Sequence, residues 1–140
     1  MTDEQLRSTD PAPALARCNV LVVDDEVILG RSVKRMLARE HEVTVTTSAQ
    51  EALDLFKAGQ AFDIILCDLM MPVMTGMDLY DELCRTQPAL ASRMVFVTGG
   101  AFTERARQFL EDSPNPRLEK PFDNQELRAL VRSLCPQSKG

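Results

Sequence analysis

A chain of 140 residues, 44% of them hydrophobic, is the size of one domain and can bury an adequate core without disulfides or metal. Its net charge of −5 argues against nucleic acid and anionic membrane as direct partners, since both need a positive surface. No apolar run approaches the roughly 18 residues of a membrane span, and no hydrophobic signal region opens the chain.

Residues 1–18 are polar, carry two prolines and lack a sustained period, so they read as a flexible leader or linker. From Asn19 the pattern changes. Val20-Leu21-Val22-Val23 is a continuous β-branched and apolar run, the mark of a strand buried on both faces, and it ends in Asp24-Asp25-Glu26. Val27, Ile28, Val33, Met36 and Leu37 then recur at helical spacing, which predicts a first helix ending near Glu40. Residues 42–46 alternate and read as a second strand. Ser48 with Glu51 forms a capping-box signature, Ala49, Ala52, Leu53 and Phe56 the apolar face of a second helix, and Gly59 its end.

The third strand is expected over residues 62–68, where Ile64-Ile65-Leu66-Cys67 leads into Asp68. A loop marked by Pro72 gives way to a helix around 76–86, buried through Met77, Leu79, Tyr80 and Leu83, with Pro88 beyond its end. Residues 93–98 form a fourth strand ending in Thr98. Thr103 caps a short helix that turns Ala106, Phe109 and Leu110 inward. Residues 117–119 form a fifth strand running into Lys120-Pro121. Asp123 and Glu126 cap a last helix with Leu127, Leu130, Val131 and Leu134 facing the core, and residues 136–140 read as a flexible tail. Five strands alternating with five helices indicate one α/β domain over 19–135, a parallel sheet with helices on both faces.

Right-handed crossovers put all the strand C-termini on one sheet edge. That edge collects Asp24, Asp25, Asp68, Thr98 and Lys120. Alone, Asp68 reads as a turn cap, Asp24 and Asp25 as helix caps, Thr98 as a strand-end residue and Lys120 as a surface lysine. Together they form a chemical set. Acids held close repel unless a cation or shared proton intervenes, and oxygen-only ligands favour a hard ion such as Mg²⁺. Lys120 supplies a point charge and Thr98 a hydroxyl donor, which suits phosphoryl transfer to a carboxylate nucleophile.

The remaining residues of interest read blandly. Cys18, Cys67, Cys84 and Cys135 show no CxxC pairing and no histidine at metal-ligand spacing, so the expectation is four reduced thiols in a cytoplasmic protein. His41, the single histidine, reads as a solvated loop residue. Arg105, Arg107 and Arg117 make the region 101–123 partly basic and read as solvated charges.

The motifs VLVVDDE (20–26), ILCDLMMPVMTG (65–76), VFVTGG (95–100) and KPF (120–122), in this order and spacing, resemble the response-regulator receiver domain of two-component signalling. The resemblance covers roughly residues 19–135. It implies a flavodoxin-like, doubly wound (βα)5 fold with five parallel strands in the order 2-1-3-4-5. It further implies that Asp68 is the phosphoacceptor, that Mg²⁺ (or Mn²⁺) is bound by Asp25 and Asp68, by Asp24 through water and by the backbone carbonyl of Met70, and that Thr98 is the switch hydroxyl. Lys120 would pair with the phosphoryl oxygens, with a cis Lys120–Pro121 bond. The implied partner is a sensor histidine kinase or histidine phosphotransfer domain that donates from phosphohistidine. A downstream output protein or domain and a phosphorylation-dependent homodimer are further expectations.

On this resemblance the chain is not a classical enzyme; it would take up and lose its phosphoryl group at Asp68. The family's switch aromatic, three residues before the lysine, is here Arg117, which breaks the usual threonine–aromatic coupling. Met70 and Gly100 stand at the positions that tune dephosphorylation. Apolar Met70 cannot orient an attacking water, so solvent access through Gly100 is expected to set the lifetime of the acyl phosphate. The non-aromatic Arg117 favours a receiver of the hybrid-histidine-kinase kind. Two alternatives stay open: a receiver-like interaction module that is never phosphorylated, and an enzyme on the same architecture. A flavin binder would want a phosphate-cradling loop where this chain has Asp-Asp-Glu, and a dehalogenase-type phosphatase a DxD motif on the first strand.

Overall fold

The computed structural model describes residues 17–99 and 103–136. Most of the expected leader, the end of the expected tail, and Gly100 lie outside the described residues. Five strands, β1 (Asn19–Val23), β2 (Glu42–Thr46), β3 (Ile64–Asp68), β4 (Met94–Thr98) and β5 (Arg117–Glu119), pair in parallel in the order β2-β1-β3-β4-β5. This is the expected 2-1-3-4-5 order.

Six helices connect the strands: α1 (Val27–Leu37), α2 (Ala49–Lys57), α3 (Gly76–Thr86), α4 (Pro88–Ala91), α5 (Glu104–Asp112) and α6 (Asn124–Leu134). The sequence reading anticipates five. The additional one, α4, begins at Pro88, which reads as a terminator but occupies the first position of a new helical turn, where its fixed φ and missing N–H suit it.

The strands alternate between two cores. Leu21, Val23, Ile65, Cys67 and Phe96 point to one face, under α2, α3 and α5. Val20, Val22, Ile64, Leu66, Val95 and Val97 point to the other, against Val33 and Leu37 of α1 and Leu127 and Val131 of α6. Each central strand is thus apolar on both sides, as parallel strands between helices must be.

Helix starts follow local chemistry. Thr75, Thr103 and Asp123 accept from the backbone N–H three residues on, and the boxes at Thr75–Asp78 and Asp123–Glu126 close in both directions. At Ser48 only half the expected box forms: Ser48 accepts from Glu51 N–H, but the Glu51 carboxylate reaches one residue further back, to Thr47 N–H at 2.7 Å. Gly59 closes the α2 turn with φ +91°, a conformation that suits glycine.

Several expected faces shift at the element ends. Val27 and Ile28, expected on the buried face of α1, are exposed, and so in part is Leu134 of α6. They occupy the first and last turns of their helices, which periodicity alone counts as part of the apolar stripe. Cys18, expected in the leader, and His41, expected in solvent, are both buried, and Cys18 is disulfide-bonded to Cys135. The expectation of four reduced thiols is thereby corrected for this pair, whereas Cys67 and Cys84 are free. Sequence spacing could not pair residues 117 positions apart; the sheet order does. Among the described residues no helix is long and apolar enough to cross a membrane.

Candidate functional site

The strand pleat explains why the acids meet. In the register of β1 and β3, Val23 is opposite Cys67, so Asp24 and Asp68 follow side by side. Asp24 continues the side-chain row of Val20 and Val22, and Asp68 that of Ile64 and Leu66. Lys120 continues the row of Leu118, which faces the same core. The chain next to it is pinned by Lys120 N–H donating to the Thr98 carbonyl at 2.7 Å, and the Lys120–Pro121 peptide is cis.

Lys120 Nζ is the hub. It lies 3.3 Å from Asp24 Oδ2, 3.7 Å from Asp68 Oδ2 and 3.1 Å from Glu26 Oε1. Burial works against its charge, but Glu26, Asp68 and Asp24 outweigh burial and hold its pKa above the usual lysine value. Asp24 is only 3% exposed and its Oδ1 accepts from Glu26 N–H at 2.8 Å. Burial raises its pKa, against the lowering effects of that N–H and of Lys120. Asp68 is pushed up to about 6, first by burial and then by the neighbouring Asp24; Lys120 and the Met70 N–H, which donates to Asp68 Oδ1 at 3.2 Å, pull the other way.

Asp24, Asp25 and Asp68 offer carboxylate oxygens that all lie within 4.8 Å of one another. Asp24 and Asp68 are buried and Asp25 is exposed at the rim. This donor set is hard, all-oxygen and self-repelling, with one face open. It fits Mg²⁺ or Mn²⁺, whose charge would offset the repulsion that raises Asp68. Thr98 is buried at the end of β4, one strand over from Asp68. Met70 is partly exposed.

Two contributors escape the sequence reading. Glu26 holds the ammonium of Lys120 across 94 residues of sequence. Gly76 is the other: a Cβ there would lie 2.4 Å from the Asp68 carbonyl oxygen and 3.0 Å from Leu69 Cα, so the start of α3 packs backbone to backbone against the end of β3. The only hint in the sequence is a glycine directly after a helix N-cap, where a residue with a side chain would serve as well.

Arg117 lies apart from the acids. It is exposed and pairs in register with Phe96. On that face the ring contacts are Tyr80–Phe96, Tyr80–Phe109 and Phe96–Phe109, with centroids 5.5, 5.4 and 5.0 Å apart, all edge-to-face. The other two arginines are balanced by acids. Arg105 donates to Asp78 at 2.9 Å, and Arg107 pairs with Glu104 and Glu111, all in exposed positions, as expected of solvated charges.

Comparison with known proteins gives a consistent result. The family model of the response regulator receiver domain matches residues 20–132. The aerobic respiration control sensor protein ArcB of Escherichia coli (strain K12) is 33% identical over 128 residues, which make up 89% of this chain and 16% of that protein. The chain therefore spans less than a fifth of that relative. Two-component response regulator 24 of Arabidopsis thaliana is 29% identical over 135 residues, 96% of each chain. Among solved structures, the receiver domain of the Francisella response regulator 1452 aligns with a TM-score of 0.70 at 27% identity, covering 84% of this chain and 96% of that one.

Proposed function

The chain belongs to the response regulator receiver domain family, and on that premise we propose that it is a phosphorylation-controlled switch whose phosphoacceptor is Asp68. One observation carries the reading: a buried, solvent-reachable carboxylate, Asp68, stands with a second buried acid on one side and the Lys120 ammonium 3.7 Å away on the other. The family implies interaction with histidine kinases or phosphotransfer domains, so the donor in this reading is a phosphohistidine.

A carboxylate oxygen of Asp68 attacks phosphorus and the P–N bond breaks. The electron pair stays on the donor imidazole, which takes up a proton. With a pKa of about 6 Asp68 is mostly ionised at neutral pH and ready as nucleophile. Receiver domains generally bind Mg²⁺ at such an acidic pocket; here Asp24, Asp25, Asp68 and the Met70 carbonyl would hold it, and it would supply charge neutralisation for the transferring group. Lys120 exchanges part of its pairing with Asp24 and Glu26 for the new phosphoryl oxygens. Thr98, at the end of the adjacent strand, turns its hydroxyl to the same group, and the β4–β5 surface changes with it. Arg117, being exposed and charged, does not follow Thr98 inward as an aromatic ring would. The apolar Met70 supplies no side-chain group to orient a hydrolytic water. The site is proposed to work in the cytoplasm.

The test is Mg²⁺-dependent labelling by a small acyl phosphate or phosphoramidate. One phosphoryl group per chain, lost in Asp68→Asn and on chelation, is expected. Absence of labelling in the wild-type chain would instead favour an interaction module that never carries phosphate.

A further inference from the structure

At the pole of the sheet opposite the acids, three residues far apart in sequence converge. Cys18 immediately precedes β1, His41 lies between α1 and β2, and Cys135 caps the C-terminus of α6. Cys18 and Cys135 are joined, with Cα atoms 5.9 Å apart. A ring nitrogen of His41 lies within 4.8 Å of both sulfurs, and Cys18 N–H donates to His41 Nδ1 at 3.1 Å. All three side chains are buried, at 1%, 4% and 7% exposure for Cys18, His41 and Cys135. The two cysteines pack in the same core as Val20 and Val131. Cys18 precedes the first residue of β1 and Asp24 follows the last, so a full strand, about 17 Å, separates this cluster from the acidic site.

We propose that Cys18 and Cys135 form a reversible thiol–disulfide clasp, a redox modification site that ties the two ends of the receiver fold together and sets the stability of the domain without entering the acidic site. The reductant is a low-molecular-weight dithiol. Its thiolate attacks Sγ of Cys135, the less buried of the pair. The Cys18–Cys135 bond breaks, and its electron pair goes to Sγ of Cys18, which takes up a proton. The second thiol of the reductant then displaces Cys135 from the mixed disulfide, leaving a cyclic disulfide as product and Cys135 as a thiol. The protein gains two electrons and two protons, and the dithiol loses them. A low-molecular-weight disulfide in excess drives the reverse exchange. Closing a loop of 117 residues restricts the unfolded chain far more than the folded one, so the oxidised form is the more stable.

The same trio is not a metal site. Nδ1 of His41 spends its lone pair on the Cys18 N–H. The neutral ring then carries its proton on Nε2, and neither nitrogen is left to bind a metal ion. Two thiolates alone fall short of the four ligands of a structural zinc site.

The experiment compares full-length protein incubated with excess small-molecule disulfide and with dithiothreitol. Thiols are alkylated in denaturant and mapped by mass spectrometry, and each sample is melted. The oxidised chain should alkylate at neither Cys18 nor Cys135 and yield a peptide linking residues 18 and 135; the reduced chain should alkylate at all four cysteines. Reduction should lower Tm by about 10 °C or more, and reoxidation should restore it. Cys135→Ser should abolish this redox dependence and Cys84→Ser should retain it. Labelling of Asp68 by a small phosphodonor at 25 °C should agree within about twofold between the two redox states, as the strand-length separation requires. Equal Tm in both redox states, or alkylation of Cys18 and Cys135 after oxidation, would overturn the clasp. So would stoichiometric Zn²⁺ binding by the reduced chain that blocks reoxidation. Should Cys135→Ser not fold, the linked peptide and the wild-type melts still decide.

Discussion

Asp24 and Asp68 stand side by side at the ends of neighbouring strands, both buried, with carboxylate oxygens within 4.8 Å of one another. Burial and Asp24 together raise Asp68 to about 6. In the unfolded chain this group ionises near 3.8. The folded state therefore binds more protons between those values, and its stability falls as pH rises through about 6.

Asparagine at position 68 cannot ionise and escapes that loss. In metal-free buffer, Asp68→Asn should be more stable than the wild type at pH 7.5 by on the order of 2 kcal/mol, and the gap should close below pH 4. Urea unfolding at the two pH values measures it. A gap that persists unchanged in acid would remove ionisation of the buried Asp68 as its cause.

Lys120 is the only cation among the described residues within ion-pair distance of Asp24 and Asp68. Replacing it with methionine keeps the stem and leaves two buried carboxylates uncompensated. Lys120→Met should cost about 2 kcal/mol at pH 7.5 without metal, and less at pH 4, where Asp68 is protonated. Mg²⁺ at millimolar concentration should recover much of the loss, because it supplies the missing charge to the same oxygens. Thermal melts with and without Mg²⁺ check both parts, and equal destabilisation at both pH values would point to lost packing instead.

At Gly76 a methyl group would press on the Asp68 carbonyl oxygen and Leu69 Cα, backbone atoms at the end of a central strand that cannot swing aside. Gly76→Ala should cost about 2 kcal/mol or more despite the better helix propensity of alanine. It should also weaken Mg²⁺-dependent labelling of Asp68, since the strand end itself must shift. Urea unfolding and labelling together test this; a neutral or stabilising substitution would show that the loop yields.

Strand ends were legible because β1 and β3 announce themselves as unbroken apolar runs, and a parallel sheet aligns whatever follows them. Asp24, Asp68 and Lys120 meet for that reason. The pairing of Lys120 with Glu26 was hidden, since two side chains 94 residues apart meet only once strand order and crossover loops are set. Cys18, His41 and Cys135 gather by the same topology at the opposite edge, where no run of acids marked a site. Val27 and Ile28 were misplaced because helical periodicity assigns a face and not how far the first turn extends beyond the sheet. Gly76 could be read as permissive; only the contact with the end of β3 reveals it as required.

The loop from Asp68 to α3 holds one more local tension. Val73 is fully exposed and sits at φ +69°, a region where a β-branched side chain crowds its own backbone. Nothing is buried there to repay the strain, so the conformation is imposed by the loop around it, in which Met74 N–H donates to the Pro72 carbonyl at 2.8 Å and Gly76 N–H to the Leu69 carbonyl at 2.9 Å. Asparagine tolerates this region without the added chain entropy of glycine. Val73→Asn should therefore stabilise the domain by about 0.5–1 kcal/mol, with labelling of Asp68 unchanged because the loop keeps its path. Urea unfolding reads the gain. A loss of stability would mean that the valine side chain contributes contacts in the folded chain that its full exposure does not suggest.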